Sequence, residues 1–254
     1  MLNPDSYITG SFYLGGKLLT NAPKWGMSLR QAGNMRFRWN ETNPVRDAFL
    51  KQVAGADHYI VPVELIHSKK VYTVSRQEDT AGCKGDGIIT ANAELVPVVT
   101  AADCMPIFMY DVKTGVFGTL HSGWKGTGIV KEALLQAHKD FGSDVRDFCI
   151  VMAPHIHECC YMVDNARADY FKTTFTPSCI RAVQGNVLGS RESSEYALSL
   201  ADANVHVLKE LGIPEDNVYI CSECTCCNEK FGSFRREAVS GGGLFTVQAA
   251  WIKW

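Results

Sequence analysis

The chain has 254 residues, 46% hydrophobic and 20% charged, a composition that suits one sizeable core in a single α/β or α+β domain. A formal charge of −2 gives no electrostatic footprint for nucleic acid or an anionic membrane, and no apolar run approaches the ~20 residues that span a bilayer. The opening Met1-Leu2-Asn3-Pro4-Asp5 lacks the positive and apolar regions of a signal peptide. The ten cysteines are therefore expected to be reduced thiols of a cytoplasmic protein rather than five disulfides.

Alternation over residues 7–19 predicts a strand or hairpin turning at Gly15-Gly16, after which Trp25-Gly26-Met27-Ser28 leads into an irregular stretch. Residues 45–55 read as a helix started by Asn43-Pro44. Arg46 falls in its first turn, where a cation opposes the helix dipole unless it meets an anion. Residues 59–67 and 70–75 read as successive strands, which puts His67 at the end of the first. The loop over residues 82–87 is glycine-rich, but its spacing fits neither a Walker loop nor a dinucleotide fingerprint.

The stretch Thr100–Gly128 organises the chain. Two apolar runs, residues 105–110 and 116–120, are joined by Asp111-Val112-Lys113-Thr114-Gly115, a turn composition that predicts a hairpin. Antiparallel pairing brings Cys104, before the first run, beside His121, after the second. A thiol and an imidazole so placed can share zinc or form a nucleophile and base pair. Alone, each would be an ordinary buried residue. Pro106 and the glycines Gly123, Gly126 and Gly128 mark a shaped loop that favours a shared site. Asp86 and Asp103 are candidate functional carboxylates, able to orient a ligating histidine or a metal-bound water, or equally to bond their own turns.

Further on, Ile129–Phe141 carries an apolar helical stripe ending at Gly142, and Phe148–Met152 reads as a central strand. Residues 165–175 and 198–211 read as helices and 218–221 as a strand. The segment His155-Ile156-His157-Glu158-Cys159-Cys160 reads as a shaped loop beside the site, with a second metal site as the alternative. Cys221, Cys224, Cys226 and Cys227 include a Cys-x-x-Cys, but no second separated pair follows, so partly buried thiols are expected. Helices alternating with short strands predict an α+β (mixed α/β) fold, mixed sheets layered with flanking helices.

Several blocks carry a resemblance. Thr100-Ala101-Ala102-Asp103-Cys104-Met105-Pro106 and His121-Ser122-Gly123-Trp124-Lys125-Gly126 resemble the T-A-D-C-x-P and H-A-G-W-R-G motifs of the multicopper polyphenol oxidase (laccase) or purine nucleoside phosphorylase family, called YfiH-like. Gly85-Asp86-Gly87-Ile88-Ile89-Thr90 resembles its A-D-A-L-V-T, and Ser233-Phe234-Arg235-Arg236-Glu237 its S-Y-R-R-D. The chain departs where Q-V-H-G becomes Leu65-Ile66-His67-Ser68 and where a C-terminal G-R becomes Gly241-Gly242-Gly243-Leu244-Phe245.

The resemblance implies a mononuclear zinc site of His67, Cys104 and His121, with a fourth position for water or substrate. It implies a purine nucleoside and phosphate as small-molecule substrates. Expected reactions are phosphorolysis of adenosine, inosine or methylthioadenosine, and deamination of adenosine. Arg46, Lys125, Arg235 and Arg236 are the expected holders of phosphate or the leaving base. Copper-dependent phenol oxidation and a metal-free hydrolase using Cys104 and His121 are the alternatives. Oligomeric state is not specified.

Overall fold

The computed structural model describes residues 2–183, 196–240 and 242–254. Its strands are β1 (Tyr7–Gly10), β2 (Tyr13–Leu14), β3 (Lys17–Leu18), β4 (Lys24–Ser28), β5 (Tyr59–Pro62), β6 (Val71–Thr73), β7 (Gly87–Thr90), β8 (Leu95–Ala101), β9 (Met105–Asp111), β10 (Phe117–Ser122), β11 (Phe148–Met152), β12 (Met162–Val163), β13 (Ile180–Ala182), β14 (Tyr196–Leu198), β15 (Val218–Ile220) and β16 (Gln248–Lys253). Its helices are α1 (Pro44–Ala54), α2 (Ile129–Phe141), α3 (Asn165–Thr174), α4 (Leu200–Glu210) and α5 (Phe234–Ser240).

Strands covered on both faces need apolar residues at consecutive positions, and β8 and β9 are buried along their whole length. Each anchors one mixed sheet. The first runs β1-β4-β16-β8-β5, antiparallel except between β5 and β8; the second runs β15-β11-β9-β10-β7-β6, antiparallel at its centre and parallel at both edges.

Side-chain alternation along β9 assigns the layers. Phe108 and Tyr110 enter the core between the sheets, where they meet Met27, Val99 and Ile252, whereas Ile107 and Met109 face the core under α2 and α4. On the far side, Phe49, Leu50 and Val53 of α1 pack on Val96, Val98 and Ala249. The order is helix, sheet, sheet, helices, in agreement with the mixed layers expected from the sequence.

Helix ends follow the sequence closely. The Asn43 side chain accepts the Arg46 N–H ahead of Pro44, and α2 ends at Gly142 as its apolar stripe does. Two expectations change. Lys24–Ser28 is a paired strand rather than a lead into irregular chain, because tryptophans lie across glycines: Trp25 faces Gly10 and Trp251 faces Gly26. A Cβ at Gly26 would fall 2.4 Å from the Trp251 ring. β5 stops at Pro62, so His67 lies in the following loop, with a left-handed φ of 58°.

Candidate active site

The register of the β9–β10 hairpin pairs His121 with Pro106 and Ser122 with Met105, which sets Cys104 at the open end beside His121. β7 lies on the other side of β10 with Leu120 opposite Gly87, so Asp86 flanks His121 as well. The His121 N–H donates to the Asp86 carbonyl at 2.7 Å. Gly123 is required here by space, since a Cβ would fall 2.8 Å from Cys104 Sγ.

Asp86 is fully buried, and its carboxylate gathers both histidine segments. Oδ1 lies 2.9 Å from His121 Nδ1 and accepts the His67 N–H at 2.9 Å. Oδ2 accepts the Ser68 N–H at 2.6 Å and the Ser68 hydroxyl at 2.7 Å. Burial works against ionisation, but these donors outweigh it and hold the carboxyl below its ordinary pKa. An ionised Asp86 only accepts, so Nδ1 of His121 carries the proton and Nε2 is the ring's remaining ligand atom. The same bonds hold His67 in its left-handed conformation, which costs an ordinary L-residue roughly 1–3 kcal/mol.

Ligand atoms of His67, Cys104 and His121 lie within 4.8 Å of one another, and the two imidazole rings stand at 83° with centroids 5.1 Å apart. Burial pushes the Cys104 thiol up, yet the charges and hydrogen bonds of His121 and His67 outweigh it and bring its pKa down to about 6. Burial likewise opposes the charge on His121, but the Cys104 thiolate and Asp86 raise it to about 9. Two nitrogens and a thiolate that ionises readily are a donor set suited to zinc.

These three residues lie on a cavity of about 810 Å³. That is within the roughly 300–1,000 Å³ usual for small-molecule sites. Arg36, Arg38, Arg167 and Arg235 contribute cationic groups to its wall. The Arg167 guanidinium stacks 4.4 Å from the Trp124 ring centre, and that of Arg235 lies 5.5 Å from Tyr161. Burial pushes the Tyr161 phenol up to about 12, so it stays a neutral hydroxyl.

The residues singled out from the sequence divide on this geometry. His67, Cys104, His121, Asp103 and Arg235 line the cavity, and Asp86 stands behind the histidines. Asp103 accepts from the Thr225 hydroxyl at 2.7 Å, the Ser233 hydroxyl at 3.0 Å and the Arg235 N–H at 2.6 Å. Despite these donors, burial raises its pKa. Its geometry is that of a clamp between the Cys104 turn and the start of α5.

Arg46, Lys125 and Arg236 are not among the lining residues. Arg46 is buried and satisfied by Asp47 and the Arg36 carbonyl. Lys125 is exposed, its ammonium 5.3 Å from the Trp124 ring centre. Arg236 donates to the Thr225 and Cys226 carbonyls at 2.8 Å each, and to that of Phe231.

Arg36, Arg38, Arg167, Trp124 and Tyr161 were not anticipated in a site role. Arg167 had a legible mark, a cation in the first turn of a helix with no acidic residue in that turn. Applied to Arg46, the same criterion gives no such mark, because Asp47 shares its first turn. The cysteine-rich segments also differ from expectation: Cys224 and Cys227 meet Cys159 and Cys160, so the partner of the Cys-x-x-Cys is an adjacent pair far upstream.

Comparisons with known proteins agree with the fold and the motif blocks. The chain is 29% identical over 206 residues to a Geobacillus stearothermophilus protein named purine nucleoside phosphorylase YlmD, covering 75% of this chain and 72% of that one. It is 26% identical over 196 residues to a Borreliella burgdorferi purine nucleoside phosphorylase, covering 74% and 81%. The crystal structure of Bacillus licheniformis hypothetical protein YfiH superposes with a TM-score of 0.78 at 24% identity, covering 91% of this chain and 92% of that one. Residues 41–251, which hold the whole site apart from Arg36 and Arg38, match the family described as multi-copper polyphenol oxidoreductase laccase, and the chain belongs to that family.

Proposed function

We propose that the chain is a zinc-dependent purine nucleoside phosphorylase, cleaving adenosine, inosine or methylthioadenosine to the free base and the pentose 1-phosphate. One observation carries the reading: a cavity of nucleoside size has two imidazoles and a thiol converging on it and four arginines in its wall. The names of the relatives supply the substrate class. His67, Cys104 and His121 would hold zinc, which supplies Lewis-acid polarisation of a substrate atom when bound.

The chain's own residues account for the rest. Arg235 and Arg167 with Arg36 and Arg38 hold phosphate, since a planar guanidinium fits its oxygens two at a time. Trp124 and Tyr161, with Arg167 and Arg235 over their rings, supply aromatic surface beside the base. A phosphate oxygen bonds to C1′ of the ribose as the glycosidic C–N bond breaks. The bonding pair leaves with the purine, which then takes up a proton. Asp86 acts through the histidines, fixing the His121 tautomer and the His67 backbone. Deamination of adenosine at the same centre remains part of this reading.

The Cys104–His121 contact also favours one second reading, a metal-free hydrolase with Cys104 as nucleophile and His121 as base. Chromatography of purified protein with adenosine, with and without phosphate, separates them. Adenine and ribose 1-phosphate formed only with phosphate, and lost in both Cys104→Ala and His67→Ala, support phosphorolysis at the metal site. Inosine formed without phosphate identifies the deaminase activity. No nucleoside turnover, with zinc bound, overturns the proposal. A hydrolytic activity that survives His67→Ala and dies in Cys104→Ala establishes the dyad instead.

A further inference from the structure

The structure gathers a second group of metal-binding side chains outside the three-donor site. Cys159 and Cys160 end the turn before β12, where the N–H groups of Cys160 and Tyr161 donate to the His157 carbonyl. Cys224 and Cys227 belong to a turn closed by the Asn228 N–H on the Cys224 carbonyl at 2.9 Å. The bridge between His155 and Cys224 and the bond from the Thr225 N–H to the His155 carbonyl bring the two turns together. All four sulfurs lie within 4.8 Å of one another, with Cys227 Sγ at 3.5 Å from Cys159 Sγ and 3.3 Å from Cys160 Sγ.

We propose that Cys159, Cys160, Cys224 and Cys227 form a second metal centre, a closed tetrathiolate zinc site that staples together the two loops flanking the cavity. Four sulfurs at about 2.3 Å from a central zinc would stand about 3.8 Å apart, which lies within the spread observed. The same spacing is far from a disulfide, which needs about 2.05 Å, and all four cysteines are free. With four protein ligands no position remains for water or substrate, the mark of a structural rather than a catalytic zinc.

Backbone donors converge on one of the four sulfurs, that of Cys224. The His157 N–H points at Cys224 Sγ from 3.4 Å, and the backbone N–H groups of Cys226 and Cys227 also bond that sulfur. Such donors stabilise and orient a ligating sulfur. Arg236 brings a guanidinium onto the same turn through the carbonyls of Thr225 and Cys226. Four thiolates exceed the charge of one divalent cation by two, so a neighbouring cation is favourable. Cys160 and Cys224 are buried while Cys159 and Cys227 are exposed, which leaves the ion a route in from solvent.

The first turn continues directly into the cavity wall, and the second is bonded to it. Tyr161, Met162 and Val163 follow Cys160, and Thr225, inside the second turn, bonds Asp103 next to Cys104. A metal at the four sulfurs therefore ties the Tyr161 wall to the clamp that positions Cys104 and Arg235.

The test uses cobalt(II) and zinc(II) as probes in a background that lacks the three-donor site, so it is independent of the proposed reaction. Reduced, metal-stripped Cys104→Ser protein, and separately His67→Ala protein, is titrated with cobalt. The expected result in each is one equivalent bound, with the intense sulfur-to-metal charge-transfer absorption of an all-thiolate tetrahedral ion. Zinc should displace it stoichiometrically.

Adding Cys227→Ser, a change at an exposed side chain, should weaken binding by more than the roughly 10–100-fold that loss of an outer contact costs, and should reduce the charge-transfer intensity. Circular dichroism confirms that the variants are folded. Folded protein that binds no cobalt in the Cys104→Ser and His67→Ala backgrounds overturns the proposal. So does an all-thiolate spectrum unchanged by Cys227→Ser, or peptide mapping of protein purified without added oxidant that shows Cys159 or Cys160 in a disulfide with Cys227.

Discussion

Asp86 is the residue on which the three-donor site converges, because its two oxygens accept from four groups, three on the His67-Ser68 loop and one on β10. Asp86→Asn replaces one acceptor by an NH₂ group that must face a donor. It should weaken metal binding by about 10–100-fold, measured by competition with a chelator. An unpaired buried donor should also cost about 1–3 kcal/mol in denaturant unfolding. Unchanged metal affinity would show that the histidines are held by the backbone alone.

Cys104 yields a second prediction at the same scale, for protein stripped of metal. Its pKa of about 6 lies below that of an ordinary thiol, so the reactive thiolate is present above that pH and lost as pH falls through it. Alkylation of the peptide containing Cys104, followed by mass spectrometry, should have a midpoint near pH 6. A midpoint near 9 would mean that His121 and His67 do not act on the sulfur. The pair Cys104 and His121 was legible in the sequence because hairpin register converts spacing into contact. The φ of 58° at His67 was not, because a hydrogen bond to Asp86 stabilises it from across the fold.

At the scale of elements, legibility follows how local the cause is. Helix α2 is specified by its own apolar stripe and terminal glycines, and its bounds agree with the sequence reading. Strand β4 depends on partners far along the chain: β16 is its neighbour, and Trp251 covers Gly26. No periodicity within residues 24–28 reports that. Arg167 and Trp124 meet only when α3 packs beside the loop after β10, so their stacking was equally out of reach.

Gly26→Ala tests the tryptophan–glycine contact, since the new methyl would fall within 2.4 Å of the Trp251 ring and force it to move. Overpacking of this kind costs about 1–3 kcal/mol, and in a chain of this size each kcal/mol lowers Tm by about 2–4 °C. Thermal unfolding should show a loss of several degrees. An unchanged Tm would mean that the indole has another place to go.

Over the whole molecule, charge is distributed against its total. The chain carries a net charge of −2, yet among the described residues four arginines and only two aspartates, Asp103 and Asp164, line the cavity. Arg36 and Arg38 are partly balanced by Glu41, at 3.1 and 3.8 Å, whereas Arg167 lies against the Trp124 ring, and Arg235, over the Tyr161 ring, also donates to the Met162 carbonyl and acts on Asp103. A concave site with an excess of one sign of charge focuses its potential, and that potential is screened as the Debye length falls from about 30 Å at 0.01 M salt to about 8 Å at 0.15 M.

If the cavity takes phosphate beside a neutral nucleoside, salt must act on the two unequally. The KM for phosphate should rise by about tenfold over that range while the KM for nucleoside stays within about twofold. Arg167→Ala should raise the phosphate KM at low salt and flatten its salt dependence. Arg46→Ala, at a buried cation away from the cavity, should lower stability and leave that dependence intact. Equal movement of both KM values with salt would place the effect on the fold or the metal, and would remove the arginines from phosphate binding.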